Sequence, residues 1–263
     1  MPIITISRGS YSRGKEVAEK LAAALGYPCI SRDILLEASE EFNTPDIKLV
    51  RALHDPASVL DRFSHGRERY LGYLQSALLQ HARRENLVYH GLAGHYFLRG
   101  IPHVLKVRIT ADMQDRVREE MRRERIDADQ ALTILQKDDE ERRRWGLQVY
   151  GTDTWDSRLY DIVLHIGRLT VADAVAILAD LARKPDFQAT AESLQLVEDL
   201  ALAARVRANL ARVAPRAQIF ADRGRVCIHD LGGFPGVEDE ERILTLARET
   251  EGVTEAVLQS GGP

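Results

Sequence analysis

The sequence predicts an α/β protein, with a parallel sheet covered by helices on both faces over residues 1–185 and a small α+β domain over 190–263. Short apolar runs alternate with helical patterns as far as Arg183, which is typical of such a sheet. Lys184-Pro185-Asp186 then interrupts the pattern. After this break the order changes to helix, hairpin, helix and strand, which indicates a separate domain.

The first predicted strand and helix frame a glycine-containing loop. Ile3 to Ile6 form a β-branched run, and Val17, Leu21 and Leu25 recur at helical spacing. Between them, Gly9 and Gly14-Lys15 fit the pattern G-x-x-x-x-G-K of phosphate-binding loops. Such a loop turns its main-chain N–H groups toward an anion, the helix N-terminus adds positive charge, and the lysine reaches the outer phosphates.

The residue after Lys15 departs from this pattern, because Glu16 stands where Ser or Thr usually holds Mg²⁺. A carboxylate beside a triphosphate repels it unless a metal lies between or the side chain points away along the helix. An ordinary strand–turn–helix connection with a surface lysine is the alternative interpretation.

The remaining elements follow in order along the chain. We predict further strands over residues 28–31, 87–89, 104–109 and 159–166, and helices over 34–53, 58–85 and 171–182. Gly26 is expected to end the first helix in a left-handed conformation. In the second domain we predict helices over 194–213 and 238–250, and strands over 217–221, 226–229 and 255–259.

Composition limits the functional classes. The net charge is -4 and the pI about 6.1, which does not favour a nucleic-acid-binding protein. Met1 leads directly into a strand, and no apolar run approaches the ~18 residues of a membrane span, so we expect a cytoplasmic protein. Cys29 and Cys227 lie far apart in apolar runs, where buried thiols are expected rather than a disulfide or a metal pair.

Two charge-rich helical segments follow the strand that ends near Ile109. They contain Arg116 and the run Asp138 to Arg144, with acids and arginines at helical spacing. Such mixing is most often a solvated face held by pairs worth ~0.2–1 kcal/mol each. The alternative is a set of arginines that serve phosphoryl transfer, where one such group can contribute ~10³–10⁵ in rate.

An ordered series of motifs over residues 1–183 resembles the cytidylate kinase-like family of P-loop kinases. These motifs are Ile4 to Arg8 before the loop, Lys15 to Ala18 after it, Ser31-Arg32-Asp33, Arg116 after Thr110-Ala111-Asp112, Asp138 to Arg142 in the lid position, and Tyr160 to Leu164. The resemblance implies a P-loop kinase-type sheet that moves the γ-phosphoryl group of ATP, with Mg²⁺, to a nucleoside monophosphate similar to CMP.

The resemblance also implies roles for individual residues. Residues of the loop and helix start would bind ATP: Gly9, Ser12, Arg13, Gly14, Lys15 and Glu16. The acceptor would contact Arg8, Arg32 and Asp33. Lys15, Arg142 and Arg116, with Arg143 as a further candidate, would act on the transferring phosphoryl group.

Tyr11 and Arg13 stand where members of the family commonly have glycine, so this loop is bulkier. A catalytically weak or inactive nucleotide-binding sensor or scaffold is therefore the alternative function. A P-loop kinase for a different acceptor is a third interpretation. Four histidines between His81 and His103 have no spacing typical of metal ligands, and we predict no resident metal site.

The second domain resembles a BON domain, a small α+β module, through the hairpin at Gly224 and through Gly252-Val253 before the last strand. The resemblance implies a module that binds lipid or protein surfaces. A packing or self-association module without a ligand is the alternative, and self-association would give a homo-oligomer through this domain.

Overall fold

The structure is a computed structural model that describes residues 2–10, 12–31, 66–84, 86–91, 93–229 and 237–259. For residues 66–70, 145, 149, 237 and 238 it describes the main chain alone. The predicted helix over 34–53 lies outside the described residues. No helix in the described part of the chain is long and apolar enough to cross a membrane.

The chain divides into two compact units. The first comprises Met1–Ser31 and Glu85–Ala189, and the second comprises Arg32–Arg84 and Thr190–Pro263. The chain passes from the first unit to the second close to the predicted boundary at 185–190. The described residues 66–84 belong to the second unit, however, so the division by contacts is not the contiguous one that the sequence predicts.

The first unit contains five strands among its described residues: β1 Ile3–Arg8, β2 Cys29–Ile30, β3 Val88–His90, β4 Val104–Ala111 and β5 Ile162–Ile166. They form one sheet in the order β2-β3-β1-β4-β5, and every neighbouring pair is parallel. Its described helices are α1 Gly14–Leu25, α3 Gly94–Phe97, α4 Met113–Glu124, α5 Ala128–Tyr150 and α6 Val171–Ala182. The predicted parallel sheet with surrounding helices is confirmed.

Local sequence explains the helix boundaries. α1 ends at Gly26, which adopts the expected left-handed conformation with φ 70°. α5 begins at a capping box in which the Asp127 side chain accepts from the Gln130 N–H, and α6 begins at an equivalent box formed by Thr170 and Asp173. Because each cap satisfies N–H groups that lack an intrahelical acceptor, it fixes where the helix starts.

The core of the first unit lies between the sheet and the pair α1 and α6. Ile4, Val17, Leu21, Val107 and Leu178 are each completely buried in it. This packing places the start of α1 firmly against the end of β1.

The second unit contains α2 Gly66–Ala82, α7 Ala191–Leu210, β6 Gln218–Asp222, β7 Arg225–His229, α8 Val237–Arg248 and β8 Glu255–Leu258. β6 and β7 form an antiparallel hairpin, and β8 adds to β7 in parallel. The predicted order helix–strand–strand–helix–strand is therefore present. Val206, Leu210, Val226, Ile228 and Ile243 form its apolar core.

The cysteines differ from the expectation of buried thiols. Cys29 is exposed and Cys227 is half-buried, and both are free. Cys29 is exposed because β2 is a two-residue edge strand that pairs with β3 on one side only.

Candidate functional site

The loop between β1 and α1 lies at the carboxyl edge of the sheet. β1 is the central strand, and it is flanked by β3 and β4, so the loop occupies the position where open α/β sheets bind ligands. Gly14 begins α1 directly above Arg8, because a Cβ at Gly14 would lie only 2.7 Å from the Cβ of Arg8. A glycine is therefore required for the strand and helix to approach this closely.

Arg13 caps α1 in a left-handed conformation, with φ 62° and ψ 10°. A glycine adopts this conformation without steric cost, whereas other residues rarely do. The first helical hydrogen bond runs from the Val17 N–H to the Arg13 carbonyl, at 3.0 Å. The N–H groups of Gly14, Lys15 and Glu16 precede it at the positive end of the helix, where an anion is favoured.

Glu16 is turned along the helix. Its carboxylate accepts hydrogen bonds from Lys20 Nζ at 2.8 Å and from Arg13 Nε at 2.9 Å. The hydrogen bond from Lys20, followed by that from Arg13, lowers the pKa of Glu16 despite partial desolvation. Both oxygens of Glu16 thus face cations, which removes the objection that this carboxylate would repel a bound polyphosphate.

The side chain of Lys15 lies at the surface, where Nζ is 3.6 Å from Glu19 Oε1 and the side chain is 63% exposed. An exposed pair of this kind stabilises the protein by ~0–1 kcal/mol, so the lysine can leave Glu19 at little cost. In the structure, Lys15 is beside the loop but not directed into it.

Ser12 holds the loop to the sheet. Its buried hydroxyl lies 3.0 Å from the Gly9 carbonyl oxygen and 3.1 Å from the Ile109 carbonyl oxygen at the end of β4. The Ser12 hydroxyl thus fixes the shape of the loop. The neighbouring Tyr11 lies outside the described residues.

Arg116 of α4 reaches the loop through a buried ion pair. Its Nε donates to the Ser10 carbonyl at 2.7 Å, and its two terminal nitrogens bind both oxygens of Asp139 at 2.8 and 2.9 Å. The guanidinium lies against Gly9, where a Cβ would be 3.5 Å from Arg116 Cζ. This two-point pairing fixes the plane of the guanidinium beside the loop.

Arg142 of α5 contacts the same loop. It donates to the Arg8 carbonyl and to the Ser10 hydroxyl, each at 2.9 Å, and that hydroxyl donates to Asp138 at 2.8 Å. The α4–α5 hairpin therefore brings two arginines and two carboxylates to the loop. We call Arg116, Asp138, Asp139, Arg142 and Ser10 the latch.

Arg143, the further candidate for the transferring phosphoryl group, does not join this cluster. Arg143 pairs with Asp153, with Nη2 2.7 Å from Oδ2, and its guanidinium lies 5.0 Å above the Trp155 ring. Arg8 contributes its carbonyl to the latch and packs its side chain over Gly14. Arg32 and Asp33 lie outside the described residues.

A second cluster lies at the carboxyl ends of β1 and β4. The Tyr160 hydroxyl donates to the Thr154 carbonyl at 2.9 Å and lies 3.2 Å from Ser7 Oγ, while Arg108 donates to the same carbonyl at 2.8 Å. The His95 ring lies 5.0 Å from the Tyr160 ring. Burial, followed by the nearby charge of Arg108, lowers the pKa of His95 to about 3, so this imidazole is neutral at physiological pH.

Sequence reasoning did not assign Ser10, Asp138 or Asp139 as site residues, although their signal was present. Arg142 lies four residues after Asp138 and three residues after Asp139, and on a helix these spacings place all three side chains on one face. His95 and Tyr160 carried no such signal, because separate elements bring them together. Among the described residues, no group of three or more acids, histidines or cysteines is placed to hold a metal ion.

Comparison with known proteins found a protein family whose model matches this chain. A model of the cytidylate kinase-like family matches residues 3–168. A search of the curated proteins found no match.

Several solved structures are similar to the chain. An uncharacterized protein from Eubacterium ventriosum ATCC 27560 has a TM-score of 0.53 and 22% identity, over 69% of this chain and 98% of that one. A gluconokinase from Sinorhizobium meliloti 1021 has a TM-score of 0.45 and 16% identity, over 72% and 98%. A shikimate kinase from Bacteroides thetaiotaomicron has a TM-score of 0.44 and 11% identity, over 70% and 99%. The first likeness shows a shared fold.

Proposed function

The chain belongs to the cytidylate kinase-like family, and from this premise we propose that it transfers the γ-phosphoryl group of ATP, with Mg²⁺, to a nucleoside monophosphate such as CMP. Family membership supports nucleotide-dependent phosphotransfer in general. The observation that carries the finer proposal is the pair of guanidinium groups that Arg116 and Arg142 hold against the loop after β1. Phosphoryl transfer depends on positioned positive charge and needs no covalent partner.

The loop has the chemistry that a polyphosphate requires. The N–H groups at the start of α1 and the Lys15 ammonium would bind phosphate oxygens, together with the main chain of Gly9, Ser12 and Arg13. Glu16 does not oppose this, because Arg13 and Lys20 neutralise its carboxylate. Mg²⁺ supplies further neutralisation of phosphate charge when it is bound, and Asp138 is the carboxylate next to the loop that is suited to hold it.

The two arginines would have different roles. Arg116 is fixed by Asp139 and buried, so it would present charge without reorganisation. Arg142 donates to a carbonyl and a hydroxyl of the loop, and it would exchange these for oxygens of the transferring group. Arg8, Arg32 and Asp33 are proposed to contact the acceptor.

The test is formation of CDP and ADP from CMP and ATP by the purified chain. We expect Arg142→Lys to lower kcat at least a hundredfold, because lysine cannot reproduce the planar two-point geometry. The matched control is Arg144→Lys, since Arg144 lies on the same helix but forms an exposed pair with Glu140. Equal kcat for the two variants would contradict the role of Arg142.

Lys15→Ala tests the loop. We expect this variant to lose transfer while it keeps the unfolding free energy of the parent chain, because the Lys15–Glu19 pair is exposed. Glu19→Gln breaks the same exposed pair but keeps the lysine, and it should retain transfer. Full activity of the Lys15→Ala chain would end the kinase assignment.

The second candidate is a nucleotide-binding sensor or scaffold without catalysis. The outward position of Lys15 and the non-glycine residue Arg13 in the loop favour it. ATP binding by calorimetry, without transfer to any nucleoside monophosphate, would support this function over the kinase.

We propose for the second unit a BON-like module that mediates self-association, with the whole protein in the cytoplasm. Its α–β–β–α–β order over 191–258 supports this proposal. Sedimentation velocity of the full chain tests it. A single monomeric species at all concentrations would contradict self-association.

A further inference from the structure

The second unit contains a cavity of about 250 Å³ that the proposed kinase activity does not use. Helices α2 and α7, the β6–β7 turn and the loop before β8 surround it. Its charged side chains are three arginines, Arg83, Arg205 and Arg223, and three acids, Glu198, Asp199 and Glu251, and Gln80 is one of its amide side chains. Leu202 provides apolar surface. Ligand cavities in proteins usually measure about 300–1,000 Å³, so this one suits a molecule smaller than a nucleotide.

Two groups of the cavity wall indicate what a ligand must supply. Gln80 Nε2 is buried and has no hydrogen-bond acceptor among the described residues. Arg223 is exposed, and its guanidinium has no hydrogen bond or ion pair with any described side chain, while its main-chain N–H donates to Asp199 at 2.7 Å. Both groups are donors. A ligand that brings acceptor oxygens would satisfy the buried Gln80 amide and pair with the exposed Arg223 guanidinium, so such a ligand is favoured here.

The other two arginines of the wall are held by carboxylates that an anion can displace. Arg83 pairs with Glu198 at 2.7 Å, and Arg205 pairs with Glu251 at 3.2 Å. The Glu251 side chain is 92% exposed, so solvent screens its pair with Arg205 and the pair is weak. An incoming anion can therefore replace Glu251 at Arg205 with little loss.

The charge balance limits the size of the anion. Three arginines and the three acids Glu198, Asp199 and Glu251 line the cavity, so its formal charge is zero. Such a wall does not favour a polyanion, whereas it accommodates one acidic group at the arginines and a hydroxyl group at a carboxylate. We propose that this cavity binds a small hydroxylated organic acid with a single carboxylate or phosphate ester.

The backbone keeps the turn in place. Arg223 and Gly224 both have positive φ, 47° and 90°, and a Cβ on Gly224 would lie 2.8 Å from Thr254 Oγ1. The Asp199 carboxylate fixes the same turn through the Arg223 N–H. Arg223→Asn is therefore the suitable variant, because asparagine tolerates the left-handed conformation and carries no charge.

The experiment is calorimetric titration of the full chain with lactate and with glycerol 3-phosphate, and glycerol serves as the uncharged probe. We expect one of the two acids to bind with a millimolar or lower Kd and glycerol not to bind. Binding of lactate identifies a carboxylate ligand, and binding of glycerol 3-phosphate identifies a phosphate ester.

Two variants assign the binding to this cavity. Arg223→Asn should weaken it at least tenfold, whereas Arg225→Gln should change it less than twofold, because Arg225 pairs with Glu255 and does not line the cavity. The nucleotide loop is the same in both variants, so binding there would be unaffected by either. Failure of both acids to bind, or equal loss in both variants, would overturn the proposal whether or not the chain is a kinase.

Discussion

Arg13 combines a left-handed backbone with a functional position at the start of α1. Non-glycine residues in this conformation cost ~1–3 kcal/mol, and the cost persists only where surrounding structure imposes it. Here the surrounding structure imposes the turn from which α1 begins, and the first N–H groups of the helix follow this turn. The Arg13–Glu16 pair recovers part of the cost.

Substitution of Arg13 tests whether the turn is strained. Arg13→Val should lower the unfolding free energy by ~1–2 kcal/mol, because a β-branched side chain is strongly disfavoured at positive φ. Arg13→Gly, the matched control, should leave it within ~1 kcal/mol, because glycine adopts the turn freely. Urea unfolding measures both, and equal losses in the two variants would show that the turn is unstrained.

His95 is the other residue whose environment decides its chemistry. It is buried between the rings of Tyr96 and Tyr160, and its Nε2 has no hydrogen-bond partner among the described residues. Its pKa is lowered to about 3 in the folded chain, against an ordinary value of 6.5. Between these values the unfolded chain binds the proton and the folded chain does not.

This difference predicts that acid destabilises the fold through His95. Stability associated with neutral His95 is complete above pH 6.5 and is lost as the pH falls, at up to about 1.4 kcal/mol per pH unit. His95→Phe should reduce the loss of unfolding free energy between pH 6.5 and pH 5 by about 2 kcal/mol. Other titrating groups cancel in the comparison, so identical pH dependence in both chains would contradict the burial of a neutral imidazole.

The α4–α5 hairpin is the element that brings charged side chains to the loop after β1. Most of its ion pairs are exposed, such as Arg122–Glu119 and Arg144–Glu140, and they agree with the solvated face that the sequence also allowed. Arg116–Asp139 is different, because both side chains are about nine-tenths buried. One face of the hairpin is therefore the solvated charged face that the sequence allowed, and another face presents a buried arginine to the loop.

Breaking the buried pair should loosen the hairpin from the loop. Asp139→Asn leaves the Arg116 charge buried without a carboxylate, and we expect a loss of ~3 kcal/mol in unfolding free energy. The matched control Glu140→Gln breaks an exposed pair on the same helix and should cost less than ~1 kcal/mol. Thermal and urea unfolding of the two variants provide the comparison, and similar stability in both would contradict the latch.

At the scale of the whole molecule, the two units defined by contacts differ from the proposed contiguous domains 1–185 and 190–263. α2 lies in the first half of the chain, yet it belongs to the second unit, where Tyr73, Leu74 and Leu78 are buried. Each such apolar side chain contributes ~1.5–3 kcal/mol when it is removed from water. The predicted division at 185–190 treats residues 1–185 as one domain and stays a proposal, whereas the division by contacts groups α2 with residues 190–263.

A chain that ends at Ala189 distinguishes these two divisions. We expect it to self-associate and to melt at a lower temperature than the full chain, because the removal of 190–263 leaves the apolar surface of α2 uncovered. Sedimentation and calorimetry measure this, and the full chain at equal concentration is the control. A monomeric shortened chain with an unchanged melting temperature for the kinase-like unit would support the contiguous division.

Much of the fold was predictable because it follows from local pattern. The strands β1, β4 and β5 match their apolar runs, and Gly26 and Thr170 end and begin helices where the sequence indicates. The loop site was predictable as far as Gly9, Gly14 and Lys15 lie at the correct edge of the sheet. Cys29 was misjudged because local apolarity does not reveal that a strand is at an edge.

The sequence by itself determined the alternation of strands and helices, the position of the glycine loop and the change of pattern after Lys184, because each depends on neighbours within a few residues. Only the tertiary structure decided that Arg116 and Arg142 meet the loop while Arg143 turns to Asp153, and that α2 joins the second unit. Those outcomes depend on which face of a helix meets residues more than a hundred positions away, and spacing along one helix cannot specify its partner.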